Sequence, residues 1–180
     1  EWIERGYDVI ALVSSCALML KFEWPLIVPK NKSIKLLSIN TFDISEYLVS
    51  LSKKEGLAEG MKPIKNGVAV HMACHARAQN MGQKAAELLR LVPDTKISVI
   101  ERCSGHGGSW GVMKENYEVA LKIGKPVYRD VKKLAPGQVV SECPLARDHI
   151  IQGLKKMDGD TSTISQASHP VELIAQAYDL

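Results

Sequence analysis

Four short β-rich runs, residues 7–13, 68–73, 96–101 and 138–142, alternate along this chain with segments of helical spacing. Runs this short and mostly apolar suit strands buried on both faces, which a parallel sheet covered by helices provides. Alternation of such strands with helices implies right-handed βαβ crossovers. The expected fold is α/β, built of parallel-sheet βαβ units with helices on both faces. Function in such sheets gathers in the loops that leave the carboxyl ends of the strands.

The helical segments have readable limits. A short apolar helix is expected from Cys16 to Trp24, ended by Pro25, with an irregular basic stretch (Lys30, Lys32, Lys35) up to residue 40. Asp43 precedes a helix whose one face carries Ile44, Tyr47, Leu48 and Leu51 and which Gly56 stops. Further helices are expected at 79–92, at 112–123 with Gly124 as the stop, at 127–134 opened by Pro126, at 145–157, and from His169-Pro170 to Tyr178. Residues 159–168 read as a polar loop, as do the stretches around Cys74-His75 and 103–111. With 46% hydrophobic residues in 180, the chain has material for a core, which excludes extended disorder. Charges of both signs are interleaved for a net +3 with no basic stripe, so nucleic acid is not an expected partner. No apolar run approaches the roughly 18 residues that span a bilayer. The opening residues, Glu1 to Gly6, read as the end of a helix already under way, and the chain is expected to be a piece of a longer polypeptide.

Each of the four cysteines follows one of the expected strands: Cys16, Cys74, Cys103 and Cys143. In a parallel sheet these positions share one edge, so thiols remote in sequence can converge. The spacing is neither a zinc ribbon nor a ferredoxin run, and four cysteines are too few for a disulfide-stapled scaffold. The plain alternative is that each is a small buried hydrophobe. The surroundings favour a site. Cys74 lies between His71 and His75, with Arg77 close by, and Cys103 lies in Arg102-Cys103-Ser104-Gly105-His106-Gly107-Gly108. Gly105, Gly107 and Gly108 let backbone amides approach a negatively charged object, such as a thiolate-ligated metal centre or a phosphate. Arg102 and Arg77 can balance such a charge or lower a thiol pKa. His149 reads as a helix-surface residue and His169 as the cap of the last helix.

These motifs resemble the cysteine-rich "CCG" domain found in the B subunit of heterodisulfide reductase and the C subunit of anaerobic glycerol-3-phosphate dehydrogenase. That module reads Cys, a long gap, Cys-Cys-Gly, a second gap and Cys-x-x-Cys, and it normally occurs twice. Cys74, in a His-x-x-Cys-His setting, matches the first cysteine; Cys103-Ser104-Gly105 stands at Cys-Cys-Gly, and Cys143-Pro144-Leu145-Ala146 at Cys-x-x-Cys. Cys16 looks like the closing cysteine of a preceding repeat, with Val13 in the first position of that Cys-x-x-Cys. Ser104 and Ala146 stand where the family has its other thiols. The resemblance divides the chain into 1–62, the tail of a first repeat, and 63–180, a complete second one.

What the resemblance implies is a part of an iron–sulfur redox subunit that relays electrons between a flavin dehydrogenase partner and a quinone or thiol/disulfide acceptor. Its cofactor would be an iron–sulfur cluster, of 4Fe-4S type, on Cys74, Cys103 and Cys143, with Cys16, His106, His75 or His71 as a further donor. Zinc is the alternative metal for such a set. A ferredoxin-like module and the flavin subunit would be its partners, in the cytoplasm or at the inner face of the membrane through peripheral association. The contrasting expectation is a degenerate repeat, zinc-binding or metal-free, that serves as a structural interaction domain.

Overall fold

In a computed structural model, which describes residues 1–159, 164 and 168–180, two parallel sheets carry the chain. The larger has the order β4-β3-β5, from β3 (Val68–His71), β4 (Ile97–Ile100) and β5 (Gln138–Ser141). The registers set Val68 opposite both Ile97 and Gln138, and His71 opposite both Ile100 and Ser141. The three strands therefore end level. The smaller sheet pairs β1 (Val9–Ala11) with β2 (Thr41–Asp43).

Side-chain alternation along the central sheet divides two cores, as the period of two requires. On one face Ala69, Val139 and Ile100 meet Val127, Val131, Ile150 and Leu154 from α7 (Tyr117–Leu134) and α8 (Pro144–Asp158). On the other, Val68, Val70 and Val140 meet Ala85, Ala86 and Leu89 of α6 (Lys84–Leu89) and Leu173 of α9 (Pro170–Ala177). Helices on both faces of a parallel sheet agree with the expected α/β class.

Several expected boundaries move, for identifiable reasons. Pro25 does not stop a helix: α1 (Ser14–Leu18), a π-helical turn (Met19–Glu23) and α2 (Trp24–Ile27) follow without a break. Pro25 falls in the first turn of α2, where a missing amide is tolerated. The Lys21 carbonyl, which an amide at 25 would meet in a regular helix, accepts instead from Ser38 Oγ at 2.5 Å. The stretch expected to be irregular holds α3 (Lys32–Ile39), capped by the Asn31 side chain, and then β2.

Asp43, fully buried, ends β2 and caps α4 (Ile44–Glu55), with Glu46 completing a capping box. Cys74 is not in a loop; it opens α5 (Cys74–Ala78), and the helix expected from residue 79 starts later, as α6. Gly124 does not stop a helix either, and Pro126 lies inside α7. A Cβ on Gly124 would overlap the Tyr128 ring and the Ser104 carbonyl, so this glycine serves close approach rather than termination. His169 caps α9 as expected, its Nδ1 accepting from the Val171 amide. Of the polar loop expected at 159–168, residues 160–163 and 165–167 lie outside the described residues. Among the described residues no helix is long and apolar enough to cross a membrane.

Candidate metal centre at the strand ends

Because β4, β3 and β5 lie side by side and end level, Cys103, Cys74 and Cys143 leave adjacent strands at one edge. Cys143 is the N-cap of α8, with Pro144 in its first turn. Cys16, in α1 after β1, belongs to a helix that packs on α5, which carries Cys74. All four thiols are free; Cys16, Cys74 and Cys103 are exposed and Cys143 is half-buried. None is a buried hydrophobe, so the plain alternative does not describe them.

The electrostatics link three of them. Burial raises the Cys74 thiol pKa, the nearby Cys103 and Cys143 raise it further, and Arg77 acts in the opposite sense. A neighbouring thiolate disfavours a second negative charge, so a cation bound among these sulfurs would relieve that repulsion. Beside Cys143, His106 places its Nε2 at 3.8 Å from Sγ, while its Nδ1 lies 2.8 Å from Ser104 Oγ. Two donors at about 2.3 and 2.05 Å from one tetrahedral ion stand about 3.6 Å apart. The Cys143–His106 pair is close to that spacing. Burial, with His149 and His75 nearby, lowers the His106 pKa and keeps a lone pair available near neutral pH. Among the described residues no three His, Cys, Asp or Glu side chains stand close enough to hold a single metal ion. A multi-iron cluster takes one thiolate per iron and spreads its cysteines wider than a mononuclear site does, so this donor set suits it in kind.

The other expected site residues take varied positions. His71 is fully buried with both ring nitrogens engaged, Nδ1 to Ser141 Oγ at 3.1 Å and Nε2 to the Arg102 carbonyl at 3.0 Å, which leaves no lone pair for a metal. Arg102 turns its guanidinium to Asp130 of α7, at 2.7 Å. Gly105, at φ +95°, packs where a Cβ would overlap the Ala120 carbonyl, whereas Gly108, at φ +65°, faces open space. His75 is exposed on α5. His149 corrects its expected surface position: it is buried between Tyr117 and Tyr128, and burial lowers its pKa.

Sequence reading missed two buried groups. Ser141 joins His71 to the Cys143 amide, which lies 3.5 Å from its hydroxyl. Glu142, 1% exposed, has no hydrogen-bond partner for either carboxylate oxygen among the described residues, and burial together with Asp43 pushes its pKa up to about 7. A glutamate closing an otherwise apolar buried run was the available signal.

The chain is similar to known proteins. Residues 68–146 match the family model of the CCG cysteine-rich domain. The chain is 28% identical over 175 residues to the C subunit of the anaerobic glycerol-3-phosphate dehydrogenase of Escherichia coli, covering 96% of this chain and 41% of that protein. It is 29% identical over 180 residues to the B subunit of the fumarate reductase (CoM/CoB) of Methanothermobacter marburgensis, covering 97% and 33%. An iron-sulfur protein of Methanocaldococcus jannaschii is 33% identical over 116 residues, covering 63% and 22%. The chain thus spans about two fifths or less of the length of these relatives. Over residues 68–146 the chain is similar to the CCG cysteine-rich domain.

Proposed function

We propose that this chain is the cysteine-rich part of an iron–sulfur electron-transfer subunit, with the cluster held at the shared edge of β4, β3 and β5. The observation that carries the reading is that Cys74, Cys103 and Cys143 follow three level strand ends, accessible enough to ligate, with Cys103 and Cys143 near enough to Cys74 to raise its pKa. His106 is the best placed fourth donor, next to Cys143. Ser104, which stands where the family has a thiol, takes up the second ring nitrogen; when it accepts from Nδ1–H, Nε2 is left to bind metal. A bound cluster supplies one-electron exchange, and a 4Fe-4S type is the one we expect on four such donors. The chain's own residues do the rest. They hold the donors at a level edge, keep His106 neutral, and leave the thiols open to a partner.

The relatives' names support the partner class, since one belongs to a dehydrogenase and another to a reductase. We read the electron donor as a flavin-containing subunit with a ferredoxin-like module. The acceptor is then a quinone or a thiol/disulfide, in the cytoplasm or with peripheral attachment at the membrane. Residues 1–62 are read as the tail of a first repeat and 63–180 as the second.

One observation favours a second reading. Ser104 and Ala146, at the two positions without a thiol, are fully buried, as in a repeat kept for structure. Anaerobic reconstitution with iron and sulfide separates the two. The expected product is brown, binds both elements in fixed ratio, and gives a low-temperature EPR signal on reduction. Cys103→Ser and Cys143→Ser each lose most of that iron, whereas Cys16→Ser keeps it. A colourless protein with one zinc per chain supports the structural reading, and unaltered iron uptake in Cys103→Ser or Cys143→Ser sinks the proposal.

A further inference from the structure

His71 occupies the last position of the central strand, and its neighbours in register are Ile100 and Ser141, the last residues of the flanking strands. Its hydrogen bonds run to both sides. A backbone carbonyl can only accept, so the contact with Arg102 fixes the proton on Nε2. Nδ1 is then an acceptor, and it takes the Ser141 hydroxyl proton. The Ser141 oxygen in turn faces the Cys143 amide as its acceptor. The resulting chain has one direction: Cys143 N–H to Ser141 Oγ–H to His71 Nδ1, then His71 Nε2–H to the Arg102 carbonyl. Burial holds the imidazole neutral, with a pKa pushed down to about 4, which agrees with this single tautomer.

We propose that His71 is a positioning residue that ties the backbone before Cys103 to the backbone of Cys143 and so sets the separation of the two sulfur-bearing loops. The flanking strands β4 and β5 do not pair with each other, so the sheet alone does not link their exits directly. One ring in the strand between them does. The functional meaning of the spacing rests on the cluster reading above; the tie itself does not.

The two ends of the ring can be cut separately. A glutamine amide reaches the place of Nε2 and can still donate to Arg102, but gives up Ser141. An asparagine reaches the place of Nδ1 and can still accept from Ser141, but gives up Arg102. The test alkylates the metal-free full chain with iodoacetamide and follows each cysteine by mass spectrometry, with circular dichroism and thermal melting as checks on folding. Expected is a roughly threefold or greater rise in the rate at Cys143 alone in His71→Gln, and at Cys103 alone in His71→Asn, as loss of one neutral hydrogen bond implies. Ser141→Ala, which leaves His71 in place, reproduces the Cys143 effect. Equal changes at both cysteines in every variant, or none, overturn the proposal. After reconstitution, a changed EPR line shape at unaltered iron content in either amide variant supports a positioning role, and an unaltered line shape in both overturns it. If the wild-type chain takes up no iron, the cluster reading fails while the alkylation pattern still decides the tie.

Discussion

His71 and Glu142 illustrate how two buried ionisable residues a few ångströms from the strand ends pull stability in opposite directions. The His71 pKa is lowered from 6.5 to about 4, so the unfolded chain binds more protons between those values and stability rises with pH across that window. Below pH 4 the accumulated loss is about 3 kcal/mol. The Glu142 pKa is raised from 4.5 to about 7, so the folded chain binds more protons there and stability falls as pH rises from 4.5 to 7. Between 4.5 and 6.5 the two nearly offset each other. Urea unfolding of the metal-free chain from pH 4 to 8 is expected to show stability rising more steeply with pH in Glu142→Gln than in wild type. Parallel profiles would show that Glu142 is not protonated in the fold. At another residue, Gly124→Ala places a methyl against Tyr128 and the Ser104 carbonyl, and is expected to cost about 1–3 kcal/mol by denaturant titration. Because Ser104 holds His106, the same variant should also lower iron uptake.

Among the elements, the helical run from Ser14 to Ile27 depends on a contact from outside itself. Its π turn and Pro25 leave the Lys21 carbonyl to Ser38 of α3, and Lys21 Nζ reaches Glu46 of α4 at 2.6 Å. Ser38→Ala is expected to lower stability by about 1 kcal/mol, the value of one hydrogen bond to a partly buried group, read from the thermal midpoint. Nothing near Pro25 in the sequence announces Ser38, thirteen residues on, which is why a proline rule applied locally ended the helix too early. The same holds for α7. Gly124 and Pro126 are breakers by local propensity, but the Tyr128 ring and the loop at Ser104 need the room that Gly124 leaves. The strands were easier to read, because a buried parallel strand shows its burial in its own composition: Val68–His71 and Gln138–Ser141 lie within the expected runs. β2, three residues long with Thr41 and Asp43 buried, has no such composition and was missed.

In the whole molecule two stretches, one in each half, share an order of elements. β1 leads through Cys16 and a helical run to β2, whose Asp43 opens α4 by a capping box with Glu46. β5 leads through Cys143 and α8 to Ser168, which bridges Val140 in parallel, and His169 opens α9 by a capping box with Glu172. The halves differ in cover. Trp2, Tyr7, Leu12, Leu26, Ile27 and Ile39 of the first are each more than half exposed. Apolar surface on that scale favours association. Sedimentation is expected to detect concentration-dependent self-association of this chain, which Leu26→Lys combined with Ile27→Ser reduces. A monomer at every concentration would show that this surface is stable in water by itself.

The α/β alternation and the placing of thiols just past strand ends were legible in the linear chain, because both follow from local composition and from the level ends of parallel strands. The family resemblance was legible there too, since the positions of Cys74, Cys103 and Cys143 relative to their neighbours are linear facts. Which partners each histidine takes was decided by packing in three dimensions. His106 faces Cys143 while His71 is consumed by Ser141 and Arg102, and His149 is enclosed by two tyrosines. A hydrogen bond or a packed ring is set by what the chain brings alongside from 30 to 70 residues away, and no local pattern encodes that neighbour.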